Sequence, residues 1–173
     1  DKSPRGGNTT SNAGGGAFSI SNILGIPAVS FPTTPGSAAL RIPNNASLTT
    51  STGLSFFMVL NPTSNVGSTR FAAANGDQLQ FYVTSAANPT SWGLYTPAAS
   101  FPSPTVTVRN NVPFVYSATI KTDLVRQSSN GVQTDTMSSA STLTITNLTI
   151  GNVVAPSSSF AFVGSIGEII IYS

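Results

Sequence analysis

Short runs of β-branched and aromatic residues, broken by Pro, Gly and Asn, fill the chain from Ala17 onward. Apolar side chains do not recur at i, i+3, i+4 and i+7, so no helical stripe forms, whereas several runs alternate at period two. In Leu79-Gln80-Phe81-Tyr82-Val83 the three apolar positions share one face, and Gln80 and Tyr82 share the other. Leu143 and Ile145 alternate with Thr144 and Thr146, and the phase slips at Asn147-Leu148, which predicts a bulge or bend. Phe56-Phe57-Met58-Val59-Leu60 is apolar at every position. That pattern predicts a central strand, covered on both sides or lying under another subunit. Further runs span 38–42, 69–74, 92–96, 105–109, 114–121, 124–127, 132–137 and 160–172, the last reading as two strands broken near Gly164.

Two hairpins follow from turn chemistry. A two-residue type I′ turn needs positive φ at both central positions, which Asn-Gly supplies at least cost. Asn75-Gly76 separates one pair of runs, and Asn130-Gly131 another. Many short strands with frequent turns predict an all-β fold, a two-sheet antiparallel sandwich. Residues 1–16, rich in Gly, Asn, Ser and Thr, read as a flexible arm or linker, and residues 17–173 as a single sandwich domain.

Four stretches, in order, resemble the concanavalin A-like lectin/glucanase superfamily in its laminin-G-like jelly-roll branch. Ala39-Leu40-Arg41-Ile42-Pro43 leading to Gly53 through Pro62 is similar to the family's opening strand and an aromatic-rich strand that ends in a Pro turn. Val112 through Ala118 is similar to a strand where the family often has Trp near the position of Phe114. Ser129-Asn130-Gly131-Val132 is similar to a family hairpin. Ile150-Gly151, followed by Phe162 through Tyr172, looks like the closing strand, in which the resemblance implies a structural role for Glu168. The likeness covers residues 28–173. It implies a jelly roll, glycan or protein binding, and a place outside the cell, on a cell surface or on a virion; the fold hosts many functions and selects none.

Composition narrows the chemistry. The chain of 173 residues has neither His nor Cys, which removes Ser-His-Asp and Cys-His triads and the usual zinc ligands. Gly14-Gly15-Gly16 lacks the following Lys-Ser/Thr of a phosphate loop. Its acidic residues are Asp1, Asp77, Asp123, Asp135 and Glu168. They form no close carboxylate pair in sequence, and the Glu-x-Asp-x-x-Glu cluster of the superfamily's glucanases is missing, so the chain is not expected to be an enzyme. No cofactor is expected. Calcium at Asp77 with Asp123 or Asp135 is weighed against the simpler role of Asp in shaping turns. Charged residues make up 7% of the chain, against about 25% in an average domain. The cations are scattered singly, which excludes a phosphate-binding stripe and hence nucleic acid. No apolar run approaches the roughly 20 residues of a membrane span.

The candidate ligand-binding residues are Trp92, Tyr95 and Tyr82 as stacking platforms for the apolar faces of sugar rings, with Asn75, Asp77 and Gln80 to bond hydroxyls. For Trp92, the chain's single tryptophan, core packing is the preferred alternative, because aromatics dominate cores. Asn8, Asn45 and Asn147 open glycosylation triplets. Two functions fit: a lectin-like surface module that binds glycans, or a structural virion or surface-array subunit acting by protein–protein assembly, as a homo-oligomer or within a capsid, head fibre or tail. Low charge favours the second by permitting close packing of like subunits.

Overall fold

The computed structural model describes residues 10–11, 18–31, 39–42, 48–49, 53–64, 70–74, 78–83, 90–96, 99–137, 144–145, 148–152 and 158–172. Sixteen strands and one short 3-10 turn (Ser158–Phe160) occur among them. In chain order they are β1 (Thr10–Ser11), β2 (Ser19–Ile23), β3 (Ile26–Phe31), β4 (Leu40–Ile42), β5 (Leu48–Thr49) and β6 (Leu54–Ser64). Next come β7 (Arg70–Ala74), β8 (Leu79–Val83), β9 (Thr90–Thr96), β10 (Ala99–Val108) and β11 (Phe114–Ile120). The last five are β12 (Val125–Ser129), β13 (Val132–Met137), β14 (Thr144–Ile145), β15 (Leu148–Ile150) and β16 (Val163–Tyr172).

They build a two-sheet antiparallel jelly-roll sandwich. The front sheet runs β1-β4-β15-β7-β8-β9-β10 and the back sheet β13-β12-β11-β6-β16-β3-β2, with a small ribbon of β14 and β5. Alternation decides what lies between the sheets. In β8, Leu79, Phe81 and Val83 are buried; in β11, Phe114, Tyr116, Ala118 and Ile120 are buried. The core is aromatic. Phe71 lies 4.4 Å from Trp92, 5.4 Å from Tyr116 and 5.6 Å from Phe81 between ring centroids, and Trp92 meets Phe114 at 5.1 Å. The Tyr116 hydroxyl donates to Gln127 Oε1 at 2.6 Å, so a buried polar pair is matched rather than left bare.

The turn chemistry holds at Asn130-Gly131, where φ is 50° and 80° and Ser129 pairs with Val132. Asn130 also ties the turn to β11: its Oδ1 accepts from the Val115 amide and its own amide donates to the Val115 carbonyl. β7 and β8 pair antiparallel as expected, although Asn75 and Gly76 lie outside the described residues.

β6 is central as expected, between β11 and β16; Phe56, Met58 and Leu60 are fully buried on its inner face, while Phe57 on its outer face is 41% exposed. Three expectations are corrected. Pro62 lies inside β6 instead of ending it, and its carbonyl accepts from the Asn111 amide. The closing run is one strand, β16, because Gly164 absorbs a register shift at φ 145° and pairing with β6 continues beyond it. The run 143–150 divides between two sheets, with β14 on β5 and β15 between β4 and β7. Asn147 at the division lies outside the described residues, as do Asn8 and Asn45. Of residues 1–16, only Thr10 and Ser11 are described, paired with Arg41 and Leu40.

β2 and β3 escape the periodicity reading. Their turn places Leu24 and Gly25 at φ 52° and 89°, and Asn22 Oδ1 accepts from the Gly25 amide at 2.6 Å. An Asn three residues ahead of the glycine does there what an adjacent Asn does elsewhere.

Gly151 is where the sheets leave least room. Its φ is +83°, and an added Cβ would stand 2.0 Å from Phe31 Cε1. Its amide donates to the Phe71 carbonyl, and its carbonyl accepts from the Phe162 amide. Gly151→Ala is expected to destabilise the protein by about 2–4 kcal/mol through overpacking and backbone strain. Gly131→Ala, with no atom within 4 Å of the added carbon, should lose only the left-handed backbone term of about 1 kcal/mol. Urea midpoints at unchanged m-value compare the two; equal losses would refute the packing argument.

Candidate functional site

The outer face of the front sheet gathers the polar and aromatic side chains that the alternation turns away from the core. Register aligns them in rows across strands. One row runs Arg41 (β4), Thr149 (β15), Ala73 (β7), Gln80 (β8) and Tyr95 (β9). The neighbouring row places Arg70 beside Tyr82, and Tyr82 beside Gly93. Tyr82 and Tyr95 are therefore diagonal neighbours, about 7–8 Å apart at such positions. Gly93, itself buried, contributes no side chain next to Tyr82. Tyr95 is 36% exposed, and Gln80 and Tyr82 are half-buried. Thr149 and Ala73 are fully buried on the same face, so it is closed around β15 and β7 and opens toward β9.

Arg70 owes its place to a bulge. The register of β7 against β8 shifts between Arg70 and Ala72, which sends both Phe71 and Ala72 into the core and returns Arg70 to the outside. Its Nε donates to Gln80 Oε1. Its guanidinium carbon lies 4.9 Å from the centre of the Tyr82 ring and 5.2 Å from that of Phe160. Cation–π attraction on two rings and one hydrogen bond thus fix the guanidinium plane. Sequence reasoning missed Arg70 and Phe160. Arg70 reads as one end of an apolar run, and Phe160 comes to it only through the bridge between Arg70 and Ala161.

The structure brings Gln80, Tyr82 and Tyr95 together and removes Trp92 from the group. Trp92 is fully buried between the sheets, against Phe71, Phe114 and Phe162, so its preferred core reading holds and its reading as a stacking platform is corrected. The reason is parity: Leu94 and Trp92 alternate with Gly93 and Tyr95, and the larger apolar pair takes the inside. Asn75 and Asp77 lie outside the described residues. Asp123 is exposed at the turn before β12, on the back sheet's side. Among the described residues no three of His, Cys, Asp and Glu cluster as a metal site would require, and no helix is long and apolar enough to cross a membrane.

The back sheet's outer face is different in kind. Phe57, Val59, Val115, Glu168, Ile170 and Tyr172 line a groove of about 290 Å³. Phe57 and Tyr172 meet edge to face at 6.0 Å. Glu168 is exposed in the bulge between Ile166 and Ile169.

No protein-family model matches the chain, and no curated protein matches it. Solved structures do. The fourth domain of an extracellular arabinanase from Geobacillus stearothermophilus, solved with arabinotriose, is 15% identical, with a TM-score of 0.72 over 95% of this chain and 82% of that one. A Bacteroides ovatus protein described as carbohydrate-binding is 10% identical, with a TM-score of 0.62 over 91% of this chain and 43% of that one. A tailspike protein of Escherichia coli O157:H7 bacteriophage CAB120 is 15% identical, with a TM-score of 0.61 over 90% of this chain and 24% of that one. The chain thus spans most of the first and less than half of the other two. At these identities the likeness is one of fold: the chain is a β-sandwich of the jelly-roll type found in carbohydrate-binding and carbohydrate-active domains.

Burial makes Trp92 a reporter of the core. Its emission should be blue-shifted and resistant to acrylamide quenching, and Trp92→Ala should cost about 3–5 kcal/mol. A red-shifted, readily quenched emission would contradict the packing described.

Proposed function

We propose that the chain is a non-catalytic, lectin-like module of the concanavalin A-like, laminin-G-like kind, displayed on a cell or virion surface, that binds a glycan on the outer face of β8 and β9. The observation that carries this reading is the diagonal pair Tyr82 and Tyr95 on the outer face of β8 and β9, with Gln80 in the same row as Tyr95. Tyr95 offers a partly exposed apolar ring for the C–H face of a sugar and a hydroxyl for its oxygens. Tyr82, whose ring carries the Arg70 guanidinium, and Gln80, whose Oε1 accepts from Arg70 Nε, border it. The sequence's lack of His and Cys supports a binding rather than a catalytic role. Resemblance in fold to an arabinanase domain solved with arabinotriose is consistent with it.

A second reading, assembly into a virion or surface array, draws on the back sheet. Phe57 at 41%, Val115 at 41% and Tyr172 at 56% exposure form an apolar face of the kind that marks protein contacts. Sedimentation at increasing concentration separates the readings: self-association abolished by Phe57→Ser would favour assembly.

Affinity electrophoresis of the full chain through gels containing different polysaccharides tests the glycan reading. At least one should retard the protein. Tyr95→Ala should weaken that retardation about tenfold, as expected for loss of roughly 1–2 kcal/mol of stacking, and leave the melting temperature nearly unchanged because the ring is partly exposed. Retardation indifferent to both Tyr95→Ala and Tyr82→Ala would move the ligand off this face.

A further inference from the structure

Exposed apolar surface is concentrated on one side of the sandwich. Every exposed large hydrophobic side chain among the described residues, Tyr95 excepted, lies on a back-sheet strand or in a turn next to one. The groove along β11, β6 and β16 is the centre of this face. Ile26 of β3 continues it past Gly167, where an added Cβ would stand 3.5 Å from both Ile26 and Val59. The strands from β12 across to β2, about 4.8 Å apart and about 20 Å long, give the face roughly 600 Å² in plan. Two such faces reach about 1,200 Å² together, where specific interfaces begin.

Two side chains of opposite charge stand at opposite corners of the centre. Arg126 is exposed on β12, at one end of the row Arg126, Thr119, Ser55 and Tyr172. Glu168 is exposed on β16, in the bulge opposite Val59. The corners are separated by the strand spacings from β12 to β16 and by the length of β6 from Ser55 to Val59, about 14 Å in each direction. Phe57 lies midway along that stretch of β6. Neither charged side chain makes an ion pair or hydrogen bond among the described residues. Lys121 and Asp123, both exposed in the turn before β12, offset each other, and Asp135 is the register partner of Gln127, not of Arg126.

Such a face complements itself. A two-fold axis lying between two copies along the other diagonal sets Glu168 of each against Arg126 of the other. Because the two separations are equal, that axis passes over Tyr172, and the strands of the two copies cross near a right angle, one of the ways in which sheets pack.

We infer that the back-sheet groove is covered by a second copy of this chain, in a two-fold, face-to-face dimer with Phe57 near its centre and Glu168 and Arg126 paired reciprocally. This deepens the assembly reading and rests on it. A small apolar ligand would fill the groove and leave Arg126 without a role, whereas a second copy uses both. Both front sheets remain outward, so the glycan face stays open in the dimer.

The test is sedimentation equilibrium of the full chain at low salt over a wide range of concentration, where a monomer–dimer equilibrium is expected. Glu168→Arg and Arg126→Glu should each raise the dimer Kd at least tenfold, because each sets like charges opposite one another. Mixed in equal amounts, the two variants should associate with each other about as tightly as the wild-type chain, since every corner then joins opposite charges. Damage to the fold could not be repaired by mixing, and circular dichroism checks that each variant is folded. Should either unfold, Glu168→Gln and Arg126→Gln replace them; the double variant should then be no weaker than either single one, since both break the same contact. Weakened variants that mixing does not rescue would overturn the inference. A dimer lost on Phe57→Ser but indifferent to both charge reversals would overturn the reciprocal pairing and leave the assembly reading standing. Growth beyond a dimer would overturn the closed two-fold arrangement in favour of open assembly. A chain that stays monomeric at every concentration would defeat the inference and count against self-assembly as well.

Discussion

The structure depends on one aromatic contact set, the packing of Phe71 against Trp92, Tyr116 and Phe81 between the two sheets. A chain with 7% charged residues and no cysteine has no disulfides and few ion pairs to hold its layers together. Burial of large apolar surface carries that burden instead. Phe71 and Trp92 come from the front sheet and Tyr116 from the back, so the contact joins the layers as well as filling the space between them. Phe114 and Phe162 extend the cluster, and Phe31 continues it to the Gly151 turn.

The same contact shapes the candidate site. Phe71 reaches the core because β7 bulges, and the bulge is also what returns Arg70 to the outer face beside Tyr82. A regular strand would set residues 71 and 73 on one face and 70 and 72 on the other. The bulge instead places Phe71 and Ala72 inside and leaves Ala73 in register with Gln80. Core packing and surface chemistry are two consequences of one irregularity.

The outer faces then divide the work. On the front sheet, Arg70, Gln80, Tyr82 and Tyr95 lie in adjacent rows of β7, β8 and β9. On the back sheet, apolar side chains and one carboxylate line a groove. The difference follows from which residues occupy outward parity in β8 and β9 as against β6 and β16.

By itself the sequence determined the local structure. Period-two alternation and the lack of helical spacing decided the β class, Asn130-Gly131 decided a hairpin whose backbone the structure matches, and the alternation of β8 put Gln80 and Tyr82 on one face. Each depends on neighbours within a few residues, where steric rules act directly. The tertiary structure alone decided which strands adjoin and which face is inside. It sent Trp92 inward and Tyr95 outward, split 143–150 between two sheets, kept β16 as one strand across Gly164, and brought Phe160 over Arg70. Alternation states that two residues share a face. It does not state which face meets the other sheet, because that depends on the volume and shape supplied by strands far away in the chain.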